Sequence, residues 1–297
     1  MAILVDENTK VLVQGMTGKE GSRCSKFMID YGTNVVCGVT PRKGGQEEHG
    51  KPIYNTVKEA LEKHPEVNTS VLFVPAKFAK GAILEAIENN IPLINIITEF
   101  ISIHDVCECL AKAREKGLTV IGPTSIGICS PGKKVKTGAI GGNTNKAYTP
   151  GNVGIVSKSG GMSSETAYVL KLAGIGQSTV VGIGGDVLNG FSFVDALKLF
   201  KDDDETKVIV FFGEIGGTYE EEAAAYIKET SYPKPVVAFV SGKFAENLPN
   251  TTLGHAGAII EGNKGTRRAK AKALKEAGVH VVEIHHEIVE KVKELLK

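Results

Sequence analysis

The sequence has no long apolar run, no secretory leader pattern and no framework of paired cysteines. Among its 297 residues, no window approaches the roughly 18 apolar residues that a membrane-spanning helix needs. The N-terminal segment MAILVDENTKVLVQG carries charges where a secretory leader requires an apolar stretch. The five cysteines are odd in number and only Cys107 and Cys109 lie close together, which favours free thiols in a reducing compartment. We therefore expect a cytoplasmic protein that does not bind membranes.

The sequence also has no excess of charge of either sign. The 35 Lys and Arg residues are matched by 34 Asp and Glu residues, so the formal net charge is +1. This balance gives no electrostatic reason to expect a polyanionic partner, and nucleic acid is not predicted as one. Hydrophobic residues make up 42% of the chain, which is typical of a globular protein with a buried core. The charge runs 202–205 and 267–272 are predicted to lie on the solvated surface.

Strand and helix patterns alternate in two blocks of the chain. Short β-branched runs typical of buried parallel strands occur at 10–14, 34–39, 70–74, 93–97 and 119–121, then at 153–156, 179–183, 208–212, 236–240 and 280–283. Helical patterns lie between them, near 19–30, 56–63, 78–89, 104–116, 161–173, 192–200, 219–229, 264–277 and 286–296. The Gly-, Pro- and Asn-rich stretch 123–151 interrupts the alternation, and we interpret it as a linker with one short hairpin. The sequence therefore predicts two doubly wound α/β domains, 1–122 and 152–297.

Glycines and basic residues at strand ends predict a ligand site in the first domain. The first strand runs into a G-x-x-G-x-x-G turn at 15–21, which would offer the N–H groups of a helix N-terminus to a phosphate. This motif is equally compatible with a purely structural turn. After the second strand, where NAD-binding folds usually place an acid, the chain has Arg42 and Lys43. That pair favours a phosphorylated ligand over NAD, although a solvated basic turn remains the alternative.

The second domain carries three further motifs that could support chemistry. Residues 157–165 (SKSGGMSSE) lead from a strand into a helix, and such a turn aims N–H groups and a helix dipole at an anion. Glu214 lies between glycines at a strand end, where it could orient an imidazole by a hydrogen bond. His255 is flanked by Gly254 and the segment AGAII, and a neutral imidazole can act as a nucleophile or base. Each motif alone is also compatible with an ordinary helix cap or surface loop.

These features, with GEIGG at 213–217 followed by GHAGAII at 254–260, resemble the alpha subunit of succinyl-CoA synthetase. The similarity extends over essentially the whole chain. It implies an N-terminal Rossmann-like CoA-binding domain and a C-terminal flavodoxin-like ligase domain. It further implies that His255 is transiently phosphorylated, that Glu214 supports it, and that Ser159 and Gly160 hold the phosphoryl group at a helix N-terminus.

The same resemblance assigns the CoA site in the first domain. The residues that fall on the family's CoA-contacting positions are Thr17, Gly18, Lys19, Glu20, Lys43, Ile97, Thr98 and Glu99. The last three match the family's I-T-E segment after a one-residue insertion. CoA is therefore the expected cofactor, and no metal site is predicted in this chain.

Two stretches depart from the succinate enzymes. Residues 122–127 read GPTSIG where that family usually reads GPNCPG, and 159–165 read SGGMSSE where it usually reads SGTLTYE. Both stretches look like ATP-citrate lyase and citryl-CoA synthetase. Gly161 and Ser164, in place of bulkier residues, would give a roomier acid pocket. Succinate is therefore the first expectation for the acid substrate, with citrate as the alternative, so the substrate is a small di- or tricarboxylate.

The resemblance also implies a mechanism and a partner. His255 would carry the γ-phosphoryl group of ATP or GTP to the acid, and the acyl phosphate would react with the CoA thiol. No P-loop lysine motif occurs in the sequence. The nucleotide, with Mg²⁺, is expected mainly on a separate ATP-grasp beta subunit, in a heterodimer or heterotetramer.

Two other classes of protein remain as alternatives. A non-catalytic CoA- or NAD-sensing Rossmann regulator would be expected to carry a DNA-binding module. The net charge of +1 and the lack of a helix-turn-helix segment argue against one. A dehydrogenase is disfavoured by Arg42 and Lys43, which replace the acid that binds the NAD ribose.

Overall fold

The structure, a computed structural model, describes residues 3–142, 146–244, 255–259 and 265–297. The strands in these ranges are β1 (Lys10–Gln14), β2 (Asn34–Val39), β3 (Glu47–Glu48), β4 (Lys51–Tyr54), β5 (Thr69–Leu72), β6 (Leu93–Ile96), β7 (Thr119–Ile121), β8 (Gly127–Ser130), β9 (Val135–Gly138), β10 (Pro150–Ser157), β11 (Gln177–Gly182), β12 (Val208–Gly213), β13 (Val236–Val240) and β14 (His280–Val282). The helices are α1 (Lys19–Tyr31), α2 (Val57–Lys63), α3 (Ala76–Glu88), α4 (Ile103–Glu115), α5 (Gly160–Leu172), α6 (Phe193–Lys201), α7 (Tyr219–Thr230), α8 (Arg267–Glu276) and α9 (Glu287–Leu295). Within the described ranges, no helix is long and apolar enough to cross a membrane.

The first sheet has the strand order β3-β4-β2-β1-β5-β6-β7. From β4 to β7 every neighbouring pair is parallel, and only the edge strand β3 is antiparallel. Without β3, this is the order of the dinucleotide-binding Rossmann fold, which binds ligands where the order reverses, here between β1 and β5. The sequence pattern does not predict β3 and β4, because both strands are short and neither alternates clearly between apolar and polar residues.

The G-x-x-G-x-x-G turn joins β1 to α1 at this reversal. Gly15 has a φ of 79°, and a Cβ at this residue would lie 2.6 Å from the Phe73 carbonyl oxygen. A Cβ on Gly21 would lie only 2.1 Å from the Gly15 carbonyl oxygen. Both contacts require glycine, because they let α1 begin directly against the carboxyl ends of β1 and β5. The turn thus has the geometry of a phosphate-binding Rossmann turn.

The second sheet has the order β14-β13-β12-β10-β11-β8-β9. The strands β10 to β14 are parallel and are arranged 2-1-3-4-5 in chain order, which is the flavodoxin-like arrangement. Its order reverses between β10 and β12, so the carboxyl ends of these two neighbours form the expected ligand-binding edge. The predicted fold class, a Rossmann-like domain followed by a flavodoxin-like domain, is confirmed.

The stretch 123–151 belongs to the second sheet. Its hairpin, β8 and β9, pairs antiparallel with β11 and extends the sheet by two strands. It also contacts the first domain, because Thr33 Oγ1 donates to the Lys136 carbonyl oxygen (2.8 Å) and accepts from the Lys136 N–H (2.9 Å). The expected hairpin is therefore a sheet edge that packs on both domains rather than part of a free linker.

Three charged residues, Asp203, Arg267 and Lys270, are buried against expectation. Lys270 is fully buried in α8, where it forms ion pairs with Glu220 and Glu221 of α7. Asp203 is also buried and accepts a hydrogen bond from the Thr206 hydroxyl. The prediction that the runs 202–205 and 267–272 are solvated is wrong for these three residues. A buried charge needs a partner, and the partners of Lys270 are distant in sequence.

Candidate active site

His255 and Glu214 form the centre of the site. His255 Nδ1 lies 2.7 Å from Glu214 Oε2, and Glu214 directly follows β12. The Glu214 side chain is 9% exposed, whereas 33% of the His255 side chain is accessible. The hydrogen bond to Glu214 raises the pKa of His255, although burial of the ring opposes this effect. Because Nδ1 faces the carboxylate, Nε2 is the ring nitrogen that is left for a reacting group.

Glycines allow the histidine loop to approach the sheet edge. A Cβ on Gly185, just after β11, would lie 2.4 Å from His255 Cγ, so only glycine leaves room for the ring. Gly257 donates its N–H to the Gly185 carbonyl oxygen at 3.1 Å. Gly216 has a φ of 86°, and a Cβ there would lie 2.1 Å from the Gly257 carbonyl oxygen. Gly254 and Ile260 of the predicted loop motif lie outside the described residues.

A buried ion pair fixes the backbone of Glu214. The Glu214 N–H donates to Glu220 Oε1 at 3.0 Å, and the other oxygen of Glu220 binds Lys270 Nζ. A Cβ on Gly213 would lie 2.7 Å from Glu220 Oε1, so this contact also requires glycine. Sequence reasoning missed both Glu220 and Lys270. An acidic first turn of α7 is a common helix feature and gave no signal that one of its carboxylates turns inward.

Lys158 supplies a positive charge beside the pair. Its Nζ lies 3.8 Å from Glu214 Oε1, and its side chain is 1% exposed. Its N–H donates to the Phe212 carbonyl oxygen at 3.1 Å, which places it at the point where β10 and β12 end side by side. The sequence analysis included Lys158 in the SKSGGMSSE segment but assigned it no role. The sequence signal that could have indicated a role for Lys158 is its position directly after a buried strand.

The N-terminus of α5 lies at the same edge. Ser159 is its N-cap, and its side chain accepts a hydrogen bond from the Met162 N–H. Gly160 packs against Ile126, since a Cβ on Gly160 would lie 2.3 Å from Ile126 Cγ2. A helix N-terminus that follows the central strand β10 is suited to stabilising a negatively charged group. The phosphate-binding role of Ser159 and Gly160 stays a prediction.

The two residues expected to line the acid pocket have different surroundings. Gly161 is exposed, and a Cβ there would meet no atom within 4 Å. Ser164 is half-buried, and its hydroxyl lies 3.0 Å from the hydroxyl of Tyr148. Tyr148 is 5% exposed and comes from the stretch 123–151. The sequence alone assigned this tyrosine no role in the site, and the structure places its phenol beside Ser164.

The first domain reaches the histidine through the loop after β6. The Thr98 carbonyl oxygen accepts from the Thr124 N–H at 3.1 Å, and Thr124 Oγ1 donates to Asp186 Oδ2 at 3.1 Å. Asp186 follows Gly185, which contacts the imidazole. The negative charge of Glu99 also contributes to the raised pKa of His255. The structure thus brings Thr98 and Glu99, predicted for CoA, to the side of the second-domain site.

The other residues predicted for CoA lie at the carboxyl edge of the first sheet. Thr17 Oγ1 donates to Thr40 Oγ1 at 3.2 Å, which joins the glycine turn to the turn that carries Lys43. Lys43 is exposed. Gly18 is the exposed N-cap of α1, and no side chain caps the free N–H groups there. These features fit a phosphate-rich ligand laid across the two turns.

The last three residues predicted to contact CoA are Lys19, Glu20 and Ile97. Lys19 is exposed in the first turn of α1. The Glu20 carboxylate accepts from Arg23 Nη2 at 2.5 Å on the surface, and this contact lowers the pKa of Glu20. Ile97 packs against the hydrophobic cluster of the first sheet. Thus Lys19 and Glu20 lie beside the open helix N-terminus, whereas Ile97 contributes apolar packing.

A cavity of about 430 Å³ adjoins the histidine loop on the side of α7. It is lined by Lys158, Asp186, Tyr219, Glu222 and Ile259, among others. In the part of the chain that the structure describes, no group of three His, Cys, Asp or Glu side chains could hold a metal ion.

Comparisons with known proteins agree with this geometry. The family models of a CoA binding domain and of a CoA-ligase match residues 6–100 and 156–291. The fold and site thus define a CoA ligase.

Two curated relatives identify the family within that class. The chain is 49% identical over 297 residues to "Succinate--CoA ligase [ADP-forming] subunit alpha 1" of Archaeoglobus fulgidus, covering 100% of this chain and 99% of the relative. It is 49% identical over 291 residues to the alpha subunit of the same enzyme of Methanothermobacter thermautotrophicus, covering 98% and 96%. The chain therefore belongs to the succinate–CoA ligase alpha-subunit family, and the resemblance drawn from the sequence motifs is confirmed.

A solved structure gives a second similarity. ATP citrate lyase of Methanosaeta concilii, determined as a D541A mutant with (3S)-citryl-CoA, superposes with a TM-score of 0.91 at 29% identity. The match covers 99% of this chain and 51% of the lyase chain, so this chain spans about half the length of that protein. This chain therefore shares its fold with about half of that lyase chain.

The Glu214–His255 contact predicts a pH effect. Glu214→Gln removes the carboxylate charge that favours the protonated ring, so the pKa of His255 should fall. The measurement is an NMR titration of the His255 ring protons in the full-length chain, assigned by comparison with His255→Ala. Glu229→Gln, an exposed acid on α7, is the control and should leave the titration unchanged. An unchanged His255 titration in Glu214→Gln would contradict the contact.

Proposed function

We propose that this chain is the phosphoryl-carrying alpha subunit of a nucleotide-dependent succinate–CoA ligase. The observation that supports this proposal most strongly is the pairing of His255 Nδ1 with the buried Glu214 carboxylate, beside the N-terminus of α5. That arrangement leaves Nε2 free and supplies a positive helix end for a phosphoryl group. Membership of the succinate–CoA ligase alpha-subunit family supports the same reaction.

The proposed reaction has three displacements. In the first, the Nε2 lone pair of His255 attacks the γ-phosphorus, and the nucleoside diphosphate leaves with the electrons of the broken P–O bond. In the second, a carboxylate oxygen of the acid attacks the phosphorus and Nε2 takes back its electron pair. In the third, the CoA sulfur attacks the acyl carbon, the thiol proton is lost and inorganic phosphate leaves. Throughout, Glu214 holds the proton on Nδ1 and stabilises the positive charge of the phosphorylated ring.

CoA is proposed to bind along the carboxyl edge of the first sheet. Thr17, Gly18, Lys19 and Glu20 lie at the N-terminus of α1, where free N–H groups can receive phosphate oxygens. Lys43 adds a cation from the neighbouring turn. Ile97, Thr98 and Glu99 follow β6 toward the second domain. A molecule as long as CoA could therefore reach from this edge toward His255.

The nucleotide and its Mg²⁺ are proposed to bind to a partner beta subunit of the ATP-grasp class. Relatives of this chain are named as alpha subunits, which supports a partner. The exposed part of the His255 ring gives that partner access to Nε2. Mg²⁺ would neutralise charge on the transferred phosphates.

Succinate is proposed as the acid, with Gly161 and Ser164 of α5 lining its pocket. The names of the relatives at 49% identity support succinate. Citrate is the second candidate because the lyase structure superposes over 99% of this chain. Succinate is placed before citrate because this chain is more similar in sequence to the succinate enzymes than to the lyase.

The first prediction of this proposal concerns the phosphorylated residue. The chain with its cognate beta subunit, given ATP labelled in the γ-phosphate, should acquire label that is labile in acid and stable in alkali. His255→Ala should abolish this label, whereas His104→Ala, an exposed histidine of α4, should retain it. Label of full intensity in His255→Ala would contradict the proposal.

The second prediction concerns CoA. Isothermal titration of the complex should show binding of CoA and none of NAD. Lys43→Ala removes a charge-assisted contact and should weaken CoA binding by about 1–3 kcal/mol. The control is Lys58→Ala, an exposed lysine of α2, which should bind CoA as the wild type does. Binding of NAD in place of CoA would overturn the cofactor assignment.

The third prediction concerns the acid. The value of kcat/KM for the complex should favour succinate over citrate by about 10²-fold or more, since a site built for one set of polar groups rejects another strongly. Steady-state assays with a panel of di- and tricarboxylates measure this ratio. A preference for citrate would assign the chain to the second candidate function while leaving the phosphohistidine step intact.

A further inference from the structure

The side of Glu214 that faces away from His255 holds a buried cation. Glu214 Oε1 is buried and has no hydrogen-bond partner among the described residues. The nearest opposite charge is Lys158 Nζ at 3.8 Å, and the two side chains are 1% and 9% exposed. A buried carboxylate oxygen without a hydrogen bond is costly, and the nearby lysine charge offsets that cost for Glu214 Oε1.

Lys158 is fixed in this position from two directions. Its Nζ lies 5.3 Å from the centre of the Tyr219 ring, within range of a cation–π contact. The Tyr219 hydroxyl in turn accepts from the Asn189 N–H at 3.1 Å. The backbone of Lys158 is bonded to Phe212 of β12. The cation therefore cannot turn toward solvent without breaking these contacts.

The charges around His255 come from several elements. Glu214 after β12 and Glu99 after β6 favour the protonated ring, whereas Lys158 after β10 disfavours it. Asp186 after β11 is near the loop, and one of its carboxylate oxygens accepts from Thr124. Lys158 is thus the cation that opposes the carboxylates at this imidazole.

A nucleophilic histidine has two requirements that conflict. Its Nδ1 proton must be held by a carboxylate, yet a carboxylate alone promotes protonation of Nε2, which removes the attacking lone pair. A cation on the far side of the carboxylate satisfies both requirements, because it attracts the carboxylate into place and partly balances its charge at the ring.

We propose that Lys158 is a positioning residue that holds the Glu214 carboxylate toward His255 Nδ1, while its positive charge limits the protonation of Nε2. The inference rests on the proposed function, because it assigns Lys158 to the phosphorylation step of that reaction. Lys158 acts on the Glu214 carboxylate and, by its charge, on the His255 ring, and not by contact with the phosphoryl group.

The test compares Lys158→Met, which removes the charge at similar volume, with Lys158→Arg, which retains it. The first readout is the NMR titration of His255 in the full-length chain. Lys158→Met should raise the pKa of His255, whereas Lys158→Arg should titrate as the wild type does. This readout needs no catalysis, so it remains informative if His255 proves not to be phosphorylated, a result that would refute the proposed function alone.

The second readout is the rate of His255 phosphorylation in the complex as a function of pH. For Lys158→Met the acidic limb should move to higher pH, and the rate near pH 7 should fall about threefold to tenfold. In a Glu214→Gln background, Lys158→Met should cost less rate than it does alone, since the charged carboxylate that Lys158 holds in place is then absent.

Three outcomes would overturn the inference. They are an unchanged His255 pKa in Lys158→Met, an equal loss of rate in Lys158→Met and Lys158→Arg, or full additivity with Glu214→Gln.

If Lys158→Met does not fold, Lys158→Gln takes its place, because it can donate a hydrogen bond to Oε1 without a charge. Lys158→Gln should then show the raised pKa, and a wild-type titration would contradict the role of the charge.

Discussion

The contact between Glu214 and His255 is the constraint on which the rest of the site depends. Each oxygen of a buried carboxylate needs a hydrogen-bond or charge partner. In Glu214 these partners come from different elements of the fold. His255 takes one oxygen, and Lys158 after β10 lies beside the other. The backbone of Glu214 is held by Glu220, whose charge is balanced by the buried Lys270. The switch point between β10 and β12 is what places Lys158 and Glu214 side by side.

The two domains share this edge because of the stretch between them. The turn that follows β7 bonds to Thr98 on one side, and through Thr124 to Asp186 on the other. It therefore joins the loop after β6 of the CoA-binding domain to the loop that approaches His255. A reaction that passes a phosphoryl group from His255 and ends with attack by the CoA sulfur needs these two loops close together.

The fold was largely predictable and the site only partly so. Buried strands such as β12 and β13 are continuous apolar runs, which are visible locally. The hairpin of β8 and β9 is short and glycine-rich, so its pairing with β11 could not be read from its own residues. His255 and Glu214 were found because glycine-flanked polar residues at strand ends are unusual and match a known family. Lys158 and Lys270 were missed as site residues, because burial of a lysine depends on a partner far away in sequence.

The central claim is that Glu214 occupies Nδ1 of His255 and leaves Nε2 as the attacking atom. NMR of the phosphorylated complex, with ¹⁵N-labelled histidine and ³¹P detection, identifies the nitrogen that carries phosphorus. The account predicts a single N–P coupling at Nε2 and a proton on Nδ1. Phosphorus bound to Nδ1 would contradict it, because Glu214 could then not hold that nitrogen during the transfer.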